Sequence, residues 1–547
     1  MPPDCLVTAR SLLVAVATAL LVPAALPAAA GPPVDEDRGF LAAPVDYGFG
    51  PDVAPSLAAR ATRALRSALA EAVALVGGSR AHLEGAYGPA VTWPIVGTHN
   101  VLLPDARVLS YGPLRAADRR PENFVYDVWD PARGTGGDAH LVLPNTTAAD
   151  FFCSGQTLIA ATGQVIMTGG DRTVDGILNK SHEQTSFFDP LRNRVTAGAA
   201  MAYRRWYPTL VPLPGGGILT LGGREDIGLP VIEPEVYDPA SGWRRLPGAA
   251  SADAFGRPRD NWYYPRGWLA PKRGVFVLAH DGGMWSVDTA GEGAVTRLAT
   301  TTRPGSYALP SLMYAPGRLL SLRADRWVVT IDINGAMPRV EPAGRLAQQR
   351  LWSQATVLAD GRVLLTGGSA VRNKLDGVAY EAELWDPATR GWRRGAVAAK
   401  ARLYHASALL LADGTVLTVG GGLPGPIVQH NAEIYYPPYL FEADGSGQLA
   451  ARPTITGGAV EVRTGTSFTI EVGAGQSIRR VTLVRAGADT HSINSDQRFL
   501  ERRFTQSGRK LRIPAPANRR VAPPGYYLLF VFNERGTPSI ARLLKIT

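Results

Sequence analysis

The chain has 547 residues, among them 60 Gly, 43 Pro and two Cys, and a formal net charge of +10. That length allows two or three domains with a large core, and the Gly and Pro content suits many short strands joined by turns. The positive balance comes mostly from Arg, without a Lys/Arg block or a basic–aromatic stripe, so no nucleic-acid partner is expected. Anionic polymers or acidic sugars suit such a charge better.

Residues 1–30 read as a secretory signal. Arg10 precedes the apolar run "SLLVAVATALLVPAALPAAA", which ends in small residues before Gly31. Retained, the run would be a membrane anchor, but Pro23 and Pro27 argue against a regular spanning helix. A secreted, periplasmic or cell-surface protein is expected. Cleavage removes Cys5 and leaves Cys153 alone. Exported chains favour disulfides, and this one can form none internally, so its thiol is either kept for chemistry or is a small buried hydrophobe. Residues 31–92 begin extended and continue as the helix "SLAARATRALRSALAEAVALVGG". Ser56 caps it, Leu57, Ala61, Leu65, Leu69 and Val73 form its apolar face, and Gly77-Gly78 stop it.

A repeat follows. Seven segments share a Gly- or Pro-containing turn and a short apolar strand, often closed by a Gly pair: "LPDARVLSYG", "ATGQVIMTGG", "PGGGILTLGG", "PKRGVFVLAH", "APGRLLSLRA", "ADGRVLLTGG" and "ADGTVLTVGG". Their strands begin at Val108, Val165, Ile218, Val275, Leu319, Val363 and Val416, at intervals of 57, 53, 57, 44, 44 and 53 residues. A second signature recurs as "VWDP", "FFDP", "VYDP" and "LWDP". A period near fifty with four short strands per unit is that of kelch repeats. Radial packing of seven units leaves only short protected edges. The predicted fold is therefore all-β: a seven-bladed kelch-type propeller over residues 93–445. Beyond "YYPPYLF", the segments "SFTIEV", "RRVTLVRA", "KLRIPAP", "GYYLLFVFN" and "IARLLKI" predict a small immunoglobulin-like β-sandwich over residues 446–547.

Aligned on their strand starts, the repeats place unusual residues at one phase. Eleven or twelve residues before the strand stand Cys153 in the second unit, Tyr207 in the third and the pair Tyr404-His405 in the seventh. Equivalent positions of a radial repeat lie at one end of its axis, so a thiol, two phenols and an imidazole converge there. Taken singly, the cysteine would be a buried hydrophobe and the tyrosines packing.

The motifs "FFCSGQ…VIMTGGD", "RRWYPT", "LYHASALLLADGTVLTVGGG", "AEIYYPPYLF", "DTHSINSDQR" and "PPGYYLLFVFNERGTPS" resemble those of the copper-radical oxidases, the galactose oxidase and glyoxal oxidase family. The resemblance runs from about residue 93 to the end. It implies that Cys153 forms a thioether with the ring of Tyr207. It further implies copper held by Tyr207, Tyr404, His405 and His491, the last delivered by a loop of the C-terminal domain. Imidazole and phenolate donors suit tetragonal Cu(II). The implied reaction is oxidation of an aldehyde or primary alcohol, free or on a glycan, by O2 with release of hydrogen peroxide. Tyr404 would take the substrate proton and the Tyr207 radical a hydrogen atom. In galactose oxidase a tryptophan two residues past the third unit's Gly pair stacks on the thioether; here Glu225 holds that position, which favours the glyoxal oxidase side. Trp262, Tyr264, Tyr307 and Trp352 are candidates for stacking or the substrate rim. A monomer is expected. The alternative is a non-catalytic kelch propeller that binds a glycan or protein partner, which would have no need of the set Cys153, Tyr207, Tyr404, His405 and His491.

Overall fold

The computed structural model describes residues 78–112, 125–174, 177–226 and 228–547. The signal segment and the helix expected from Ser56 lie outside the described residues. Within them the regular secondary structure is almost entirely strand; the α-helices are single turns at Ala81–Glu84 and Ala252–Phe255. Among these residues no helix is long and apolar enough to cross a membrane.

Each repeat read in the sequence coincides with a run of four antiparallel strands, here called sheets 1 to 7; the third and seventh carry one extra short strand, and the first and fifth are joined through C-terminal strands into one 14-stranded sheet. Six of the second strands start at the residue read from the repeat, and that of sheet 5 starts one residue earlier, at Arg318. The first strands of sheets 1 to 7 are His99–Leu102, Gly155–Leu158, Trp206–Pro212, Arg266–Leu269, Ser311–Ala315, Gln354–Val357 and Ala406–Leu410. Most neighbouring first strands touch one another, including those of sheets 7 and 1, and strand Ile493–Arg502 bridges those of sheets 4 and 5. Sheet 7 draws its outer strand from the start of the described chain: Ala86 and Tyr87 pair with Tyr436 and Tyr435.

The recurrent residues have local causes. In each Asp-Pro signature the aspartate side chain accepts the backbone N–H two residues on: Asp130 from Ala132 at 3.0 Å, Asp189 from Leu191 at 2.9 Å, Asp238 from Ala240 at 2.8 Å and Asp386 from Ala388 at 2.8 Å. The following proline has no N–H to compete and turns the chain into the fourth strand. The Gly pairs are needed where adjacent sheets crowd. Gly169 lies at φ 63°, and a Cβ there would stand 2.1 Å from the carbonyl oxygen of Arg205 in the next unit. A buried ion pair also repeats: Arg205 with Glu235 at 2.9 Å, Arg350 with Glu383 at 3.1 Å and Arg402 with Glu433 at 3.1 Å. In each the guanidinium also donates to the carbonyl of a Gly in that sheet's second-strand Gly pair, Gly222, Gly367 or Gly420.

The C-terminal residues form two packed sheets. In Ser467–Val472 and Lys510–Pro514 burial alternates, with Phe468, Ile470, Val472, Leu511 and Ile513 turned inward. Strand Gly525–Phe532 is buried along its whole length. Tyr527, Leu529 and Val531 face the sandwich core, while Tyr526, Leu528, Phe530 and Phe532 join the large core shared with the repeat sheets. This strand therefore serves two cores, which explains its unbroken apolar run.

From the sandwich a hairpin reaches among the first strands. Its arms are Ala488–Thr490 and Ile493–Arg502. The first arm ladders onto His99–Val101 of sheet 1 and the second pairs with Ser311 and Met313 of sheet 5. Side-chain bonds reach the other five sheets: Gln156 to the Asp489 carbonyl at 3.1 Å, Ser495 to Leu210 at 3.2 Å, Arg498 to Leu269 at 2.9 Å, Gln497 with Val357 in both directions, and the Ala408 N–H to Asp489 at 2.9 Å. At its tip Thr490 pairs with Ile493, and the two residues between, His491 at φ 45° and Ser492 at φ 62°, both occupy the left-handed region. Such a two-residue turn normally takes Asn-Gly; here it carries a histidine.

Two outcomes are expected in denaturant unfolding. Glu235→Ala strands the Arg205 guanidinium, whose side chain is 0% exposed, and lowers stability by about 3–5 kcal/mol, seen as a lower midpoint at unchanged slope. Ser492→Gly removes one left-handed non-glycine residue and raises stability by about 1 kcal/mol; an unchanged or lower midpoint would contradict the strain argument.

Candidate metal centre

The site is built from one repeated backbone feature. At or just before the start of the first strand, a non-glycine residue enters the left-handed region in sheets 2, 3, 4, 6 and 7: Cys153 at φ 62°, Tyr207 at 65°, Tyr264 at 39°, Trp352 at 66° and His405 at 66°. Their backbones link unit to unit. The Tyr207 N–H donates to the Cys153 carbonyl at 3.0 Å, that of Tyr264 to Tyr207 at 2.9 Å, and that of Trp352 to Ala308 at 2.7 Å. The reversal lets both the left-handed residue and its predecessor reach one shared cluster. Phe152, Cys153, Trp206, Tyr207, Tyr263, Tyr264, Tyr307, Ala308, Leu351, Trp352 and Tyr404 accordingly form one cluster with Ile493 of the hairpin. By this bonding Ala308 is the residue of sheet 5 equivalent to Tyr207, and Tyr307 belongs to the preceding position, with Tyr404.

The predicted residues Cys153, Tyr207, Tyr404, His405 and His491 come together. The Tyr207 and Tyr404 hydroxyls are 2.5 Å apart. The Tyr404 ring stacks on His405 at 3.7 Å, His405 lies 4.7 Å from His491, and His491 lies 5.1 Å from Tyr207, all between ring centroids. Cys153 Sγ is 3.8 Å from His491 Nε2, and with His405 these ligand atoms all lie within 4.8 Å of one another. Both imidazoles are held in place through Nδ1. His405 Nδ1 donates to the Gly422 carbonyl at 2.7 Å, which leaves the lone pair on Nε2. His491 Nδ1 is engaged by Thr490 Oγ1 at 2.6 Å, and its Nε2 faces the thiol. Burial, with His405 and His99 nearby, holds the His491 imidazole well below its ordinary value, so it stays neutral and available as a ligand. Burial also pushes the Cys153 thiol well up, with Asp171 adding to the effect and the Tyr207 side chain opposing it. The Tyr207 phenol is pushed well up by burial and then by Cys153. Two imidazoles, two phenols and a thiol in a closed cluster are a donor set that copper fits.

The remaining candidates divide. Trp352 lies 4.4 Å from the Tyr404 ring. Tyr264 is 5.0 Å from both Tyr207 and His491, and its hydroxyl donates to the Ser154 carbonyl at 3.0 Å. Trp262 is stacked 6.4 Å from Tyr207. Tyr307 stacks on Tyr263 at 4.4 Å and accepts a hydrogen bond from Arg372 at 2.6 Å. Glu225 is half-buried and its carbonyl accepts from Ser181; its neighbour Arg224 is the residue that lies over the indoles, 4.1 Å from the Trp206 ring and 5.2 Å from the Trp262 ring.

Three neighbours escaped the sequence reading. Tyr263 places its hydroxyl 3.2 Å from that of Tyr404 and its ring 4.1 Å from Tyr207. Trp206 packs on Tyr207 at 4.0 Å. His99 accepts the Cys153 N–H at 3.1 Å and stacks on Tyr111 at 4.3 Å. The first two stand immediately before a residue the alignment selected, so the pair Tyr404-His405 already carried the signal for them.

Comparison with known proteins fits this geometry. The galactose oxidase-like early set domain family matches residues 452–546. A galactose oxidase of Gibberella zeae is 29% identical over 499 residues, covering 85% of this chain and 71% of the relative. The aldehyde oxidase GLOX1 of Arabidopsis thaliana is 24% identical over 467 residues, covering 74% and 73%. A solved structure of a fungal alcohol oxidase of the AA5 family, in complex with copper, matches with a TM-score of 0.75 at 26% identity, covering 85% of this chain and 99% of that one. The chain is thus a homologue of the galactose oxidases and aldehyde oxidases, the copper-radical oxidases.

Proposed function

We propose that this chain is a secreted copper-radical oxidase that converts a primary alcohol or aldehyde and O2 into the oxidised product and hydrogen peroxide. The seven sheets are read as the blades of a propeller over residues 93–445 and the rest as a sandwich domain over 446–547. One observation carries the reading: two phenols, two imidazoles and a lone thiol, drawn from three repeats and a hairpin of the C-terminal sheets, meet in one buried cluster. A passive binding module has no use for that convergence.

Copper held by Tyr207, Tyr404, His405 and His491 would supply one oxidising equivalent and a Lewis-acid position for substrate oxygen. The chain's own residues do the rest. Gly422 and Thr490 orient the imidazoles. Tyr404, bonded to the Tyr207 and Tyr263 hydroxyls, would be a phenolate once it holds the metal, and as that anion it accepts the proton of the substrate hydroxyl as a general base. Tyr207, joined through a ring carbon to Cys153 Sγ, stores the second equivalent as a phenoxyl radical and takes a hydrogen atom from the substrate carbon. The sulfur donates electron density to the ring and makes the phenol easier to oxidise. Two electrons and two protons leave the substrate and end on O2 as peroxide. The absence of a tryptophan at Glu225 supports a preference nearer the aldehyde oxidases than galactose oxidase.

Aerobic copper loading followed by peptide mass spectrometry tests the cross-link: the Cys153 and Tyr207 peptides should appear joined, with loss of two hydrogens. A free Cys153 thiol after loading would sink the radical reading. Cys153→Ala should keep copper while the equilibrium constant for forming the radical falls by about tenfold for each ~59 mV of lost tuning, so the radical absorption band weakens and turnover drops. Wild-type turnover in that variant would contradict the mechanism. His491→Ala should weaken copper binding, read by competition with a chelator, by more than the roughly 10–100-fold typical of an outer-sphere partner.

A further inference from the structure

The third sheet carries a cation that the proposed chemistry does not use. Arg224 stands opposite Trp206 in the strand ladder, one residue before Tyr207. Its guanidinium lies between two indoles, Trp206 at 4.1 Å and Trp262 at 5.2 Å. Since Trp206 packs on Tyr207 at 4.0 Å, the cation is one indole away from the phenol that meets the substrate. A guanidinium packed on indoles makes its hydrogen bonds at its edge. No ion pair holds it among the described residues; Asp226, two residues on, is bonded by Lys180 at 2.7 Å. Its Nε is buried without a hydrogen-bond partner among the described residues. A desolvated donor of this kind is costly unless something accepts from it.

We propose that Arg224 is the anion-recognition residue of this site, and that the preferred substrates are hydroxy acids or oxo acids whose carboxylate seats on the guanidinium edge while the alcohol or hydrated aldehyde end faces Tyr207 and Tyr404. A planar carboxylate accepts two parallel N–H bonds from a fixed guanidinium, a match that neutral sugars lack. The orientation of the reacting end rests on the oxidase reading; the anion site itself does not.

The test measures binding apart from turnover. Indole fluorescence of the full-length protein, which Trp206 and Trp262 beside the guanidinium should report, is titrated with 4-hydroxybutyrate and glycolate and with their neutral partners 1,4-butanediol and ethylene glycol. At least one carboxylate should bind roughly tenfold or more tighter than its diol, and rising ionic strength should weaken it. Arg224→Gln should abolish the difference, and Arg224→Lys, which keeps the charge without the fork, should retain part of it. Equal binding of acid and diol to the wild type, or a preference that survives Arg224→Gln in folded protein, overturns the proposal. A carboxylate preference in a copper-loaded protein that makes no peroxide from any alcohol or aldehyde supports the anion site and overturns the oxidase reading, so the two failures are distinct.

Discussion

One hairpin, residues 488–502, is hydrogen-bonded to the first strand of each of the seven sheets, and the rest of the structure depends on it. The contacts fall on one strand of each sheet, the first of its repeat. Its Asp489 is buried deeply enough that the carboxyl is pushed well above its ordinary value, yet it accepts the Ala408 N–H and so ties sheet 7 to the arm that ladders with sheet 1. Gln497 bonds Val357 as a strand would, donating and accepting. Through these bonds the hairpin also brings His491 against Cys153, Tyr207 and His405.

The cost of this arrangement is concentrated at the centre. Cys153, Tyr207, Tyr264, Trp352, His405 and His491 all hold positive φ, a region that L residues with side chains avoid. Strain of this kind persists only where the surroundings over-determine it. Here they do: each reversal is pinned by a first strand on one side and, for Tyr207, Tyr264 and Trp352, by an N–H bond from one unit to the carbonyl of the unit before. The repeats thus act as a rigid frame that aims side chains inward in fixed directions, as a donor set for a metal requires.

Much of this was legible in the chain. The repeat interval located the second strands to within one residue, because a turn with Gly or Pro before an apolar run is a local signal. Cys153, Tyr207 and Tyr404-His405 stood out because unusual residue types fell at one phase of a repeat. What was missed is non-local. Arg205 and Glu235 lie far apart in the chain and look like ordinary surface charges until the sheet closes over them. Arg224 and Tyr263 differ from expected positions by a single residue; the left-handed reversal beside Tyr263 presents two consecutive side chains to the same side, which a period-two strand never does. His491 could be placed only through family resemblance, since nothing in "ADTHSINSDQR" says that the turn is buried.

The outer strand of sheet 7 comes from Ala86–Tyr87, ahead of sheet 1, and the hairpin that bonds all seven sheets comes from near the other terminus. Both closures wait on late-synthesised residues. As the chain leaves the ribosome from its N-terminus, Cys153 and Tyr207 emerge long before their partners at 404, 405 and 491, and no partial product holds the full donor set. The long-range pairings that seal the molecule also make its assembly slow. Acquisition of a metal, and any chemistry that follows, is therefore an event of the completed polypeptide rather than of nascent intermediates.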